Sequence, residues 1–384
     1  MIQKEKAPGQ FSVLALLCFV FIIFNGCSTD EEPPRVETGR FYIFSQSELD
    51  ELDGVQSIIG SLRLQFPLSG EVEDPIVDLS PLSQLTSVTE VVLIDNIDTI
   101  DTFEPLSNIR YIGGGLAIAH NDNITSLNAF RSLKQAGTTL YIQDNDRLKN
   151  LDGLQNIEFY RMFYFQIALN DSLTSLFGLE GFSELSMNPS GRLHIHRNDQ
   201  LASLQGLESL RSVQEISIKD NLVLSDISAL EKVENVSLLE ISSCPNLIEL
   251  CRFDHLDSCR EVTIREIPAT NFEVFGGVKI ERIILSGLSL SSLDWLNSYE
   301  WLDYLSISEM NNLINLTGLG DLGRVENLKI TENSALSDLT GIGSLSFVGY
   351  LIISGNTGIC ESAIQEWVDS IEVETVVVVD NGSC

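Results

Sequence analysis

A six-residue pattern of apolar and polar positions, apolar-x-apolar-x-x-Asn, recurs along almost the whole chain. Clear copies begin at Leu116, Leu140, Leu193, Ile216, Leu328 and Leu351. Within each copy the alternation predicts a short strand with its apolar side chains inward and the intervening residues outward. Recurrence at a near-constant period predicts a solenoid, in which each unit buries its apolar face only against its neighbours.

The commonest length of the repeat unit is 23 residues, and between copies the apolar residues fall at every third position. Copies open at positions 91, 116, 140, 165, 193, 216, 239, 262, 283, 305, 328, 351 and 376, with spacings of 21 to 28 residues. Two weaker units begin at Phe41 and Leu62. The sequence therefore predicts about fifteen coils with parallel strands.

The stretch between strands could be a loose helix, 3₁₀ turns or extended chain. Glycine steps such as Leu151-Asp-Gly153-Leu154 argue against long α-helices, because glycine disfavours a helix interior. We therefore favour a β-helix-like coil over a helix-backed horseshoe. The Asn is expected to end the strand, where it can tolerate the turn conformation, and to stack with its equivalents in a ladder.

Two segments, Gly114-Gly115-Leu116-Ala-Ile118 and Asn145-Asp-Arg-Leu148-Lys-Asn-Leu151-Asp-Gly153-Leu154, resemble the receptor L-domain branch of leucine-rich repeats. The resemblance covers residues 41 to 381 and implies a right-handed parallel solenoid used for recognition. It departs from the pattern where another residue replaces the Asn, at Cys244, Ile267, Leu288 and Met310.

The N-terminus has the features of an export signal. Two lysines precede an apolar run from Phe11 to Phe24, and Asn25-Gly26-Cys27 follows. This arrangement resembles the lipobox of bacterial lipoproteins, which implies a signal peptide over 1–26 and a lipid on Cys27. Residues 27–40 then form an acidic tether, and we expect anchoring in the outer membrane, facing the cell exterior. The alternative is an ordinary signal peptide with an incidental cysteine.

The solenoid is expected to span 41–359, with a C-terminal cap over 360–384. Apolar residues at helical spacing between 364 and 371 predict a short amphipathic helix at the open end. A Cys360–Cys384 disulfide would fix this cap. Three further cysteines, Cys244, Cys251 and Cys259, suggest one disulfide and one free thiol. Cys244 and Cys259 are expected to be buried. Zinc is the weaker alternative, with His255 as fourth ligand.

The chain carries a formal net charge of −32, which argues against nucleic acid and anionic membrane surfaces as partners. We expect contact with a membrane through the N-terminal lipid only, and we predict no cofactor and no metal site. His194 and His196 lie on one face of a strand and could bind a metal, but two solvated imidazoles are the simpler interpretation.

The outward residues of the strands are the candidate binding face, where repeat proteins usually bind. The candidate residues are Tyr141, Gln143, Asp144, Gln166, His194, His196, Arg197, Lys219 and Asp220. Arg197 and Lys219 suggest an acidic glycan or an acidic protein surface, with Tyr141 as a stacking platform. The insertion at 66–75 is a second candidate, and plain solvated surface is the alternative for both.

These features favour a non-enzymatic binding or adhesion module on the cell surface, with an extracellular protein or glycan as partner. The alternative is a structural or accessory envelope subunit without its own ligand. Exposed aromatic residues on the strand face would favour the first interpretation. A hydrolase is a remote third possibility, because no catalytic triad or carboxylate pair is visible.

Overall fold

The computed structural model describes residues 3–5, 33–66, 73–159, 162–185 and 191–383. The α-helices are α1 (Gln46–Asp50) and α2 (Glu361–Val368). The strands are β1 (Gln3–Glu5), β2 (Arg35–Ile43), β3 (Val55–Gln65), β4 (Ser87–Val88), β5 (Val91–Asp95), β6 (Tyr111–Ile112), β7 (Gly115–Ala119), β8 (Gln135–Ala136), β9 (Thr139–Gln143), β10 (Tyr164–Ala168), β11 (Arg192–His196), β12 (Glu215–Lys219), β13 (Leu238–Ser242), β14 (Ser258–Arg265), β15 (Lys279–Ser286), β16 (Trp301–Ser308), β17 (Arg324–Thr331), β18 (Phe347–Ser354) and β19 (Glu372–Val379).

One long sheet of nineteen strands runs through the described part of the chain, and it is parallel except for β1. Fifteen coils contribute the main strands, and three of them add the two-residue strands β4, β6 and β8. Equivalent residues pair across neighbouring strands, as in Leu140 with Phe165 and Phe165 with Leu193. The chain is therefore a repeat solenoid, as the pattern predicts, and the number of coils agrees. In β5 the inward residues are Val92 and Ile94, so the predicted opening at 91 is wrong by one residue.

At the N-terminal end of the sheet, β2 pairs with β3 on one side and with the antiparallel strand β1 on the other. Strand β1 belongs to the predicted signal segment 1–26. The rest of that segment, and Cys27, lie outside the described residues. The signal peptide and the lipid therefore stay predictions.

The backs of the coils are formed by 3₁₀ helices and turns, which agrees with a β-helix-like coil. The 3₁₀ helices are Ser80–Leu82, Glu104–Leu106, Asn128–Ser132, Ser228–Leu230, Phe272–Phe275 and Asp294–Leu296. Other coils have a glycine step instead. Gly153 and Gly178 have φ of +115° and +108°, and a Cβ at either would lie 2.0 Å from a carbonyl oxygen of the preceding coil. Glycine is therefore required where two backbones approach this closely.

The predicted asparagine ladder is present and is interrupted where the sequence departs from the pattern. Asn170 is fully buried, and its Nδ2 donates to Ile142 O at 3.0 Å and Ala168 O at 3.0 Å. Its Oδ1 accepts from the backbone N–H of Asn145 at 3.2 Å. Each Asn thus satisfies backbone groups of its own coil and of the preceding one, which would otherwise be buried without partners.

After each five- or eight-residue strand from β5 to β19, the turn is made by the residue before the ladder position. The ladder Asn, which could also tolerate the turn conformation, does not make it. Asp144, Leu169 and Arg197 have φ of 54°, 58° and 52°. The same position is glycine in two coils, at Gly287 and Gly355. The left-handed conformation is needed because the chain must turn sharply while the Asn side chain points into the ladder.

The C-terminal cap combines helix α2 with the last strand. Ile364 and Val368 are buried, as the helical spacing predicts. Strand β19 then adds a final layer, where Val376 is 46% exposed because no coil follows it among the described residues. Cys360 is disulfide-bonded, while Cys384 lies outside the described residues, so their pairing stays a prediction. No helix in the described ranges is long and apolar enough to cross a membrane.

The three cysteines of the interrupted region are all free and all buried. The expectation of one disulfide among Cys244, Cys251 and Cys259 is therefore wrong, whereas the burial of Cys244 and Cys259 is confirmed. Cys244 takes the place of an asparagine in the ladder, and its Sγ donates to Ser242 O at 3.3 Å. Burial raises the pKa of Cys244 to about 11 and those of Cys251 and Cys259 to about 12, so all three remain protonated thiols.

Candidate binding face

Parallel pairing in register places six of the predicted residues side by side on the outward face of β9 to β12. Gln166 pairs with both Tyr141 and His194, and His196 pairs with Lys219. The six residues are Tyr141, Gln143, Gln166, His194, His196 and Lys219. We call this group, together with Tyr164, the binding face.

A continuous row of rings crosses three strands of the binding face. The ring of Tyr164 lies 5.2 Å from that of Tyr141 and 5.0 Å from that of His194. The ring of His194 in turn stacks on His196 at 5.1 Å. Tyr164 was missing from the prediction, although the two-residue alternation, continued one step before Phe165, would have identified it as outward.

Hydrogen bonds hold these rings in fixed orientations. The Tyr164 hydroxyl donates to Gln166 Oε1 at 2.7 Å and also lies 3.0 Å from His194 Nδ1. Gln166 Nε2 donates to Gln143 Oε1 at 2.7 Å, and His194 Nε2 lies 2.9 Å from Glu215 Oε1. Both ring nitrogens of His194 are thus engaged within the protein. The face is preorganised, and His194 has no free nitrogen for a metal.

Acidic neighbours neutralise the basic side chains around the binding face. Lys219 Nζ lies 2.6 Å from Glu240 Oε2. Arg197 Nε lies 3.6 Å from Asp220 Oδ2, and both residues belong to the turns after their strands. Both cations therefore already have a carboxylate partner, and the acidic ligand suggested for Arg197 and Lys219 stays a prediction. Each base is paired with a carboxylate from the next coil, a contact that depends on stacking and not on sequence proximity.

The remaining predicted residue, Asp144, also lies in a turn, with φ of 54°. Its Oδ2 is 3.3 Å from His120 Nε2, and the other ring nitrogen of His120 lies 2.8 Å from Asp95 Oδ1. Asp144 therefore borders the binding face and is engaged with a preceding coil. Of the second candidate, the 66–75 insertion, residues 67–72 lie outside the described residues.

The imidazole of His196 is neutral at physiological pH. Burial lowers its pKa to about 4, and the nearby His194 and Lys219 act in the same direction. Burial likewise raises the pKa of the Tyr164 hydroxyl, with Tyr141 and Glu215 contributing. At neutral pH the Tyr164 hydroxyl and the His196 imidazole therefore carry no charge.

A row of aspartates runs just after the ladder position in the coils of β5, β7, β9, β10 and β11, at Asp98, Asp122, Asp146, Asp171 and Asp199. Burial raises the pKa of Asp146, and the like charges of Asp122, Asp171, Asp144 and Asp98 raise it further. An acid whose pKa is higher in the folded than in the unfolded state loses stability as the pH rises above its unfolded value, here 3.8. This row therefore reduces stability at neutral pH.

We expect Asp146→Asn to raise the free energy of unfolding by about 0.5 kcal/mol at about pH 7 and by nothing measurable at about pH 3. Thermal melts at both pH values would measure it, with Asp321→Asn, away from the row, as the control. An equal gain at both pH values would contradict the electrostatic explanation.

No protein-family model matches the chain, and no curated protein matches it. The chain is similar to the solved structure of an internalin from Listeria monocytogenes, at 16% identity over 88% of this chain and 84% of that one, with a TM-score of 0.38. It is also similar to a leucine-rich-repeat protein from Leptospira interrogans, at 16% identity, 86% and 92% coverage and a TM-score of 0.38. A third similar structure is a leucine-rich-repeat protein from Bacteroides ovatus, at 11% identity over 90% of this chain and 92% of that one, with a TM-score of 0.18. The repeat geometry of the chain itself defines its class, a solenoid of leucine-rich-repeat type.

Proposed function

We propose that this protein is a non-enzymatic recognition module that binds an extracellular protein through the binding face. The row of rings from Tyr141 through Tyr164 and His194 to His196 supports this most directly. Tyr141 is 36% exposed, so its ring is accessible while its neighbours hold it in place. Aromatic residues in such positions supply much of the binding energy at protein interfaces.

The electrostatics of the face favour a neutral or mixed partner surface over an acidic one. Lys219 and Arg197 already have carboxylate partners, and His196 is uncharged. Binding of a partner would therefore not require desolvation of an unpaired cation at the centre of the face. Side chains that are already ordered by hydrogen bonds lose little entropy on binding, which favours affinity.

We expect Tyr141→Ala combined with His194→Ala to weaken binding of the partner by at least about 100-fold, because hot-spot truncations cost about 2 kcal/mol or more each. Wild-type and variant proteins would be used to capture partners from the surface fraction of the host. The matched control is Tyr304→Ala with Tyr350→Ala, at the other end of the same sheet, which should capture the same partner as wild type.

Melting curves of both double variants must match wild type for this comparison to hold. Loss of the partner from the control pair alone would place the site at the other end of the sheet. Capture of a glycan-bearing partner that is lost on deglycosylation would replace the protein partner with a glycan.

We propose further that the protein is anchored as a lipoprotein through Cys27, on the basis of its sequence context. We expect Cys27→Ser to abolish metabolic labelling by a fatty acid and to remove the protein from the outer-membrane fraction. Cys18→Ser, within the same signal segment, should leave both unchanged. Labelled Cys27→Ser protein in the outer membrane would contradict this assignment.

An accessory role in the envelope is the second candidate, and it has its own supporting observation. Ile248 and Ile314 are 65% and 56% exposed, in the coil segments outside the sheet. Exposed apolar side chains of this kind suit packing against another envelope component. Ile248→Ser with Ile314→Ser, in the same capture experiment, would support this role if a partner were lost while the Tyr141 and His194 variant kept it.

A further inference from the structure

A cavity of about 660 Å³ opens at the N-terminal ends of strands β14 to β16, away from the binding face. Strands β9 to β13 have five residues each, whereas β14 to β18 have eight. The additional residues at the start of β14, β15 and β16 project beyond the first residue of β13. The change in strand length thus produces a recess between coils, whose size suits a small ligand.

The thiol of Cys259 and the phenol of Tyr299, which line this cavity, are buried and already hydrogen-bonded. Cys259 is 1% exposed, and its Sγ donates to Glu261 O at 3.2 Å. The Tyr299 hydroxyl donates to Val278 O at 2.7 Å, and burial raises its pKa. Neither of these two groups is available as a nucleophile or base.

Four charged side chains line the cavity: Arg260, Lys279, Glu281 and Glu300. Within the described ranges these side chains make no ion pair and no hydrogen bond with one another or with other protein groups. Arg282, on the same strand as Lys279, behaves differently, since it contacts Glu261 at 2.9 Å and Asp303 at 2.7 Å. The donors and acceptors around the cavity are therefore free to contact a ligand.

An exposed indole completes the lining. Trp301 is 44% exposed and has no ring or cation partner among the residues described. Its neighbour in the sheet, Arg324, lies instead over the ring of Phe347, at 3.8 Å from its centroid. The indole face is thus open to solvent beside the cavity.

We propose that this cavity binds a neutral saccharide of one or two rings, with one sugar face against the Trp301 indole. A sugar presents C–H groups to an aromatic face and hydroxyls to polar neighbours, which can both donate and accept hydrogen bonds. Two cations and two anions make the lining neutral in a strongly acidic protein. A charged ligand would be repelled by half of these groups. A sugar hydroxyl can instead accept a hydrogen bond from a cation or donate one to a carboxylate.

The test uses the purified protein and a panel of glucose, galactose, N-acetylglucosamine, maltose, cellobiose, lactose and diacetylchitobiose. Saturation-transfer NMR and calorimetry would measure binding. We expect at least one saccharide to bind saturably, Trp301→Ala to weaken that binding at least tenfold, and Trp301→Phe to retain part of it. Glu281→Gln and Lys279→Met should each weaken it less.

Tyr350→Ala, which removes another exposed ring of the sheet, should bind the saccharide as wild type does. The proposal is overturned if no member of the panel binds saturably, or if a folded Trp301→Ala binds as wild type. It is also overturned if the Tyr141 and His194 double variant, and not Trp301→Ala, loses the saccharide. Because that variant tests the binding face, the two proposals can fail independently.

Discussion

Replacing Leu285 by aspartate is expected to abolish cooperative folding of the central coils. Leu285 is fully buried and pairs with Ile264 and Ile307 in the neighbouring strands. A carboxylate there would have no ion-pair partner among these apolar side chains, so the variant should lose at least about 4 kcal/mol of stability. Chemical denaturation followed by circular dichroism would measure the loss, and limited proteolysis would show which coils open.

The neighbouring residue provides the matched control, because it lies on the opposite face of the same strand. Ser286 pairs with Arg265, so an aspartate there would face a cation. We expect Ser286→Asp to change stability by no more than about 0.5 kcal/mol. Equal losses from both variants would mean that the inward and outward faces of β15 are assigned wrongly.

Replacing Gly178 by alanine should destabilise the protein by about 3 kcal/mol, although it adds only one methyl group. The new Cβ would lie 2.0 Å from Leu151 O and 2.4 Å from Leu151 C, so two coil backbones would have to separate. The φ of +108° adds strain, because residues with a side chain rarely adopt it. Denaturant unfolding would measure the loss.

Gly181, three residues further along the same coil, distinguishes this close approach from a general effect of glycine. A Cβ at Gly181 would lie 3.6 Å from Gln155 O, which is ordinary van der Waals contact. Gly181→Ala should therefore be neutral or slightly stabilising, since it reduces the entropy of the unfolded chain. A loss at Gly181 as large as that at Gly178 would contradict the explanation from backbone contact.

Much of the fold could be predicted from local periodicity. Alternation identified Leu193 and Ile195 as inward and His194 as outward, because a strand has a period of two. The start of the strand near Val91 was predicted one residue too early, because four consecutive apolar residues there do not show which positions face inward. Sequence alone also could not show that the residue before the Asn makes the turn, since Asp144, Leu169 and Arg197 share no side-chain chemistry.

The candidate site could be predicted only in part. Its members were identified because they share the outward phase of consecutive strands, but Tyr164 was missed and the pairing of the Arg197 and Lys219 charges with carboxylates was not predicted. These charges are neutralised by Asp220 and Glu240. Such pairs join residues of different coils, and their distances depend on which side chains the stacking places together.

The sequence by itself determined the repeat, the inward face and the ladder, because each follows from a period within one coil. Only the tertiary structure decided the ion pairs, the free state of the three buried cysteines and the cavity beside Trp301. Each of these depends on contacts between coils about 23 residues apart, or on strands of unequal length in neighbouring coils. A pattern read along one coil carries no information on such contacts, since they arise when the coils stack.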